Sequence, residues 1–185
     1  MVYIFLADGF ETIEALTVVD MLRRAKIECE TVSIMQTKEV TSAQEITVTA
    51  DRMIDEIKEQ EAELLVLPGG IPGTPNLKAN ETVIHMLQKQ QEAGRYLAAI
   101  CAAPSILSSL GYLKGKEATC YPSFEEELQK SGAIVKTQPA VTDGKIITGR
   151  GMGGAIAFSA EIIKALKNEQ TAQQVKASIV YEEQE

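Results

Sequence analysis

Three short apolar runs constrain this chain more than any other feature: residues 2–8, 62–67 and 96–100. Each is bounded by turn residues and has the length of a buried strand, not of a helix. The stretches between them change period. Residues 11–25 place Ala15, Val18, Val19 and Leu22 on one helical stripe, and residues 80–93 do the same with Val83, Met86, Leu87 and Gln90. Strands alternating with helices imply a doubly wound α/β sandwich with a mainly parallel sheet. Residues 27–34 add a strand around Ile27, Cys29 and Val32, and the β-branched segment 39–50 reads as a short antiparallel excursion. A short helix is expected at Met53–Lys58, a loop at Ile71–Pro75 and a helix near 123–130. Strands follow around 133–136 and 139–148, then helices near 154–167 and 169–178. No linker or repeat interrupts the pattern, so residues 1–185 read as one domain.

The net charge of −8 leaves no basic stripe for phosphates, which argues against nucleic-acid or anionic-membrane partners. The first apolar run lacks a basic flank and reaches Asp8-Gly9 directly, so it reads as a strand and not as a signal peptide. No run has the length of a membrane span. Cys29, Cys101 and Cys120 show neither zinc-site nor Cys-x-x-Cys spacing, and an odd count speaks against a disulfide framework. A reducing cytoplasm is the expected compartment.

Cys101 stands where the run Tyr96–Ile100 gives way to helical spacing, flanked two residues away by Ala99 and Ala103. Small residues on both sides of a nucleophile at a strand-to-helix turn follow the logic of a nucleophile elbow. A thiol there faces the positive end of the next helix, which favours thiolate. Extending the stripe of the first helix backwards lands on Glu11 and Glu14, which sets two carboxylates on its inward side. Glu14, the Gly69-Gly70 pair after the second run, and Cys101 all follow strands, so they share the carboxyl edge of the sheet, where ligands bind. Glycines there let backbone N–H groups approach a reacting atom. Glu14 is expected to hold a proton shared with the Cys101 thiolate. His85 is the only histidine and falls off the stripe of its helix, as a solvated residue would.

Gly149–Gly154 fits G-x-G-x-x-G after a strand, yet no further parallel strand with an acidic residue follows as a dinucleotide site requires. Close helix–sheet packing is the better use of these glycines.

Four motifs, Gly9-Phe10-Glu11-x-x-Glu14, Leu67-Pro68-Gly69-Gly70, Ala98-Ala99-Ile100-Cys101-Ala102-Ala103-Pro104 and Thr148-Gly149-Arg150-Gly151, occur in an order that resembles the ThiJ/PfpI superfamily over essentially the whole chain. The match is nearest the branch of the Parkinson's-disease-linked protein deglycase. The resemblance implies a flavodoxin-like three-layer sandwich of the class I glutamine-amidotransferase type, usually homodimeric. It implies Cys101 as nucleophile and oxidation site, Glu14 as its carboxyl partner, and Gly69, Gly70 and Ala102 around a bound anion, with Glu11 as an accessory group. It also implies Arg24 near a dimer interface, and it puts Tyr121 where many members carry a histidine. No metal or cofactor is implied. The expected function is cysteine-dependent stress protection, acting on a small carbonyl compound such as methylglyoxal or on glycated or misfolded protein. A redox sensor or chaperone working through Cys101 oxidation is the alternative, with peptidase or amidotransferase chemistry disfavoured by the missing histidine.

Overall fold

The computed structural model describes residues 1–181, and residues 182–185 of the single domain expected from the sequence lie outside the described part. In chain order the elements are β1 (Val2–Leu6), α1 (Thr12–Arg24), β2 (Cys29–Ser33), β3 (Glu39–Thr41), β4 (Thr47–Thr49), β5 (Arg52–Met53) and β6 (Leu64–Leu67). They continue with α2 (Gly73–Ala79), α3 (Glu81–Glu92), β7 (Tyr96–Ile100), α4 (Pro104–Ser109), β8 (Glu117–Ala118), α5 (Glu125–Lys130) and β9 (Ile134–Val135). Last come β10 (Ala140–Asp143), β11 (Ile146–Gly149), α6 (Ala155–Leu166) and α7 (Glu169–Ser178).

A seven-stranded sheet runs in the order β10-β11-β7-β6-β1-β2-β5. All its pairings are parallel except β10 with β11. Because side chains alternate along a strand, each central strand feeds two cores. Val2, Ile4 and Leu6 join α1, α6 and α7 residues such as Val18, Leu22, Phe158 and Ile162 on one face. Tyr3, Phe5, Leu65 and Leu67 meet Val83, Leu87, Ile106 and Leu107 from α3 and α4 on the other. This is the three-layer α/β sandwich expected from the alternation, and burial on both faces explains why its strands read as unbroken apolar runs.

Four local expectations change. The 139–148 strand is a hairpin, folded back at Gly144, whose φ is +63°. The Met53–Lys58 helix shortens to a 3₁₀ turn at Ile54–Glu56, because Arg52 and Met53 instead extend the sheet beside Val32 and Ser33. Gly73-Thr74-Pro75, read as loop, opens α2: proline suits a first helical turn, where its missing N–H costs nothing. β8 and β9 form a separate two-residue parallel pair. The excursion at 39–50 is the expected antiparallel pair, β3 with β4. Among the described residues no helix is long and apolar enough to cross a membrane.

Candidate functional site

β1, β6 and β7 are sheet neighbours and parallel, so the segments following them emerge together at one edge. From β1 the chain moves outward through β2 on one side and β6 on the other. The crevice between β1 and β6 is therefore the switch point at which open α/β sheets bind ligands. Glu11 caps α1 there: its Oε2 accepts the Glu14 N–H at 2.7 Å. That cap starts the helix so that Glu14 lies in its first turn on the buried face, with 1% of its surface exposed.

The Glu14 carboxyl is held at one oxygen only. Oε2 accepts the Gly69 N–H at 3.0 Å, whereas Oε1 is buried without a hydrogen-bond partner. Burial pushes the carboxyl up to about 7; the neighbouring Glu11 charge adds to this, while hydrogen bonds from the Cys101 thiol and the Gly69 amide pull it back.

Cys101 is half-buried at the end of β7, with φ +66°. A non-glycine residue in the left-handed region costs about 1–2 kcal/mol. Two backbone bonds hold it there: its N–H donates to Gly149 O at 2.9 Å, and its carbonyl accepts the Tyr121 N–H at 2.8 Å. The sharp turn anticipated from Ala-x-Cys-x-Ala is present. The anticipated low thiol pKa is not. Burial, and then the Glu14 charge and its hydrogen bond, push the thiol up to about 12, against hydrogen bonds from the Ala102 and Gly70 amides. The next helix, α4, has only six residues and begins at Pro104, so its positive end is too weak to outweigh a buried carboxylate. Glu14 and Cys101 thus titrate as one unit. Between about 7 and about 12 the pair holds one proton, and repulsion from ionised Glu14 keeps that proton on sulfur.

Gly69 sits between the two groups. A Cβ there would stand 2.5 Å from Glu14 Oε2 and 2.6 Å from Cys101 Cβ, so only glycine lets them meet. Gly70, at φ +97°, is pressed against the backbone of Gly9, Phe10 and Glu11, which turns its amide towards the thiol. The amides of Gly70 and Ala102 therefore converge on sulfur as the sequence suggests. Gly69 does not belong with them, because its N–H is committed to Glu14. Glu11 acts as a helix cap and as a charge that raises Glu14. Arg24 lies ten residues along α1 from Glu14, roughly 15 Å at the helical rise, and pairs with Asp20 at 2.6 Å in solvent. It is not part of the site within one chain.

Tyr121 adjoins the site through its bond to the Cys101 carbonyl, and its ring is half-exposed. His85 is exposed on α3, away from these loops. Cys29 and Cys120 are buried, the thiol of Cys120 also pushed up to about 12, first by burial. Of the glycines in 149–154, Gly149 and Gly154 serve close packing: a Cβ at Gly149 would meet Ile100 at 2.7 Å, and one at Gly154 the Pro139 carbonyl at 2.7 Å, whereas Gly153 faces open space. Sequence reading missed the half-buried Arg150–Glu125 ion pair, 2.9 Å long, which ties the Tyr121 segment to the β11–α6 turn. Its only signal was Arg150 within the Gly-Arg-Gly motif. Among the described residues no group of three His, Cys, Asp or Glu could hold a metal ion.

The sequence profile described as the DJ-1/PfpI family matches residues 1–165. Protein dj-1beta of Drosophila melanogaster is 30% identical, covering 96% of this chain and 95% of its own. The deglycase TK1284 of Thermococcus kodakarensis is 32% identical, covering 90% and 99%. Protein DJ-1 homolog B of Arabidopsis thaliana is 36% identical over 97% of this chain, which spans only 41% of that longer protein. Among solved structures, oxidized Toxoplasma gondii DJ-1 superposes with a TM-score of 0.92 at 30% identity, covering 98% of both chains.

Proposed function

Because this chain belongs to the DJ-1/PfpI family, we propose that it is a cysteine-dependent stress-protection protein that detoxifies reactive dicarbonyls, with Cys101 as nucleophile and Glu14 as proton shuttle. The observation carrying this reading is a buried carboxyl, pushed up to about 7, that meets the Cys101 side chain across the bare face of Gly69. A base with a pKa near the working pH is the most effective one. The similarity to a deglycase at 32% identity supports the same class of substrate.

In the proposed reaction, ionised Glu14 takes the Cys101 proton as sulfur bonds to the aldehyde carbon of a 2-oxoaldehyde. The carbonyl electron pair moves to oxygen, which the Gly70 and Ala102 amides stabilise until Glu14 returns the proton. Glu14 then removes the hydrogen of that same carbon, the hydroxyl proton passes to the neighbouring ketone oxygen, and Glu14 delivers its proton to the adjacent carbon, giving a 2-hydroxyacyl thioester. One carbon is oxidised and its neighbour reduced, so no external oxidant enters. Water cleaves the thioester, freeing the thiol and a 2-hydroxy acid: lactate from methylglyoxal. The partnerless Glu14 Oε1 is the atom suited to carry the moving proton. No cofactor or metal takes part. The working form is a homodimer in the cytoplasm, and glycated protein is the macromolecular variant of the same substrate.

A second reading has a specific observation behind it. Cys101 is the only one of the three thiols not fully buried, and its surrounding carboxyl and amides would hold a sulfinate, as a redox sensor needs. Cys-His peptidase chemistry lacks its base. The deciding experiment measures lactate from methylglyoxal in metal-free buffer, with Cys101→Ser alongside and the oxidation state read by mass spectrometry. Turnover by reduced wild type and none by Cys101→Ser supports the enzyme. No turnover by reduced wild type leaves the sensor.

A further inference from the structure

A cleft of about 460 Å³ opens beside the Glu14–Cys101 pair, walled by Tyr121, Pro122, Pro139, Arg150 and Met152 over the backbone of residues 151–154. It adjoins the pair through Tyr121 and Gly151. Tyr121 donates its N–H to the Cys101 carbonyl, and the position of a Cβ on Gly151 lies 3.6 Å from the Tyr121 ring and 4.0 Å from Glu14 Oε1. A side chain at Gly151 would therefore touch both the ring and the buried carboxyl.

The chemistry of the walls is selective. Tyr121 and Met152 are large and apolar yet 50% and 55% exposed, and both border this one cleft. The one charge in the wall, Arg150, is already paired with Glu125 at 2.9 Å, so the rest of the wall is apolar side chains and backbone. An aromatic ring and a thioether are favourable neighbours for a further aromatic ring. The volume is within the roughly 300–1,000 Å³ of small-molecule sites.

We propose that this cleft receives the substituent of the dicarbonyl, and that Tyr121 and Met152 make the site selective for 2-oxoaldehydes bearing an aryl or bulky apolar group. The proposal rests on the enzymatic reading above. With phenylglyoxal, Cys101 sulfur bonds to the aldehyde carbon while the phenyl group lies between Tyr121 and Met152. The same internal hydrogen shift oxidises that carbon and reduces the ketone carbon, and water releases mandelate. With glyoxal the sequence is identical and the product is glycolate, but the cleft stays empty.

The test is the ratio of kcat/KM for phenylglyoxal to that for glyoxal, measured on wild type, Met152→Asp, Tyr121→Ser and Met152→Leu. Both rates come from one preparation, so any loss of folded protein cancels. Apolar pocket contacts of this size discriminate by about ten- to a hundredfold. The ratio is expected to fall by about that much in Met152→Asp and Tyr121→Ser, and to return towards wild type in Met152→Leu. Glyoxal turnover with an unchanged ratio in Met152→Asp and Tyr121→Ser overturns the selectivity alone. Turnover of neither compound by wild type overturns the enzymatic reading and the selectivity with it.

Discussion

Glu14 and Cys101 meet across a glycine. The Gly69 N–H anchors Glu14 Oε2 at 3.0 Å, and the side Gly69 leaves bare is the space in which the carboxyl reaches the thiol. Ionised Glu14 makes the thiol harder to ionise, while the thiol eases the ionisation of a carboxyl that burial has pushed up, so the pair's first proton leaves near neutrality and leaves from Glu14.

The buried carboxyl has a cost in stability whose sign follows from its pKa. Folding raises Glu14 from 4.5 to about 7, so the folded state prefers the protonated form. Stability is full below about pH 4.5 and is lost as pH rises through about 7, by about 3 kcal/mol. Glu14→Gln removes the charge. Urea unfolding at low and at mildly alkaline pH should show the variant level with wild type in acid and about 3 kcal/mol more stable above neutrality. Equal stability at both pH values would contradict this.

Thiol titration tests the electrostatic sign. Glu14 holds the Cys101 thiol up, so Glu14→Leu should lower its pKa from about 12, followed by ultraviolet thiolate absorbance. A raised pKa would mean that protonated Glu14 donates to a thiolate instead.

That sign was not legible in the sequence, although the residues were. The stripe of Ala15, Val18, Val19 and Leu22, run backwards, found Glu14, and the apolar run ending at Ala-x-Cys-x-Ala found the elbow. Both are consequences of period and residue size, which a sequence displays. What Cys101 feels depends on how long α4 is and how deeply Glu14 is buried, and neither is written locally. Gly69 looked like one of a pair because its amide commitment to Glu14 is a contact across 55 residues. The two-residue strands β5, β8 and β9 carry too few residues to show any period, and the hairpin at Gly144 hides in a run that reads as one strand.

Gly69→Ala should damage both fold and function. Its Cβ would press on the Glu14 carboxyl and on Cys101 Cβ, and overpacking of this kind costs about 1–3 kcal/mol. Thermal unfolding together with methylglyoxal turnover measures both. A wild-type midpoint with wild-type turnover would show that the pair does not need this close approach.

At Cys101 itself, the φ of +66° predicts that Cys101→Gly is more stable than Cys101→Ala by about 1–2 kcal/mol, since only glycine relieves the left-handed backbone. Chemical denaturation of the two inactive variants gives the difference. Equal stabilities would mean the strain is absent.

The central claim is that Glu14 is the base that activates Cys101, and the pH dependence of kcat/KM for methylglyoxal tests it most directly. In wild type the rate should rise as Glu14 ionises, with a midpoint near its value of about 7. Glu14→Gln should lose about 100- to 10,000-fold in rate, and the inflection with it. A rate that falls as pH rises through neutrality, or an inflection near 7 that survives in Glu14→Gln, would contradict the account.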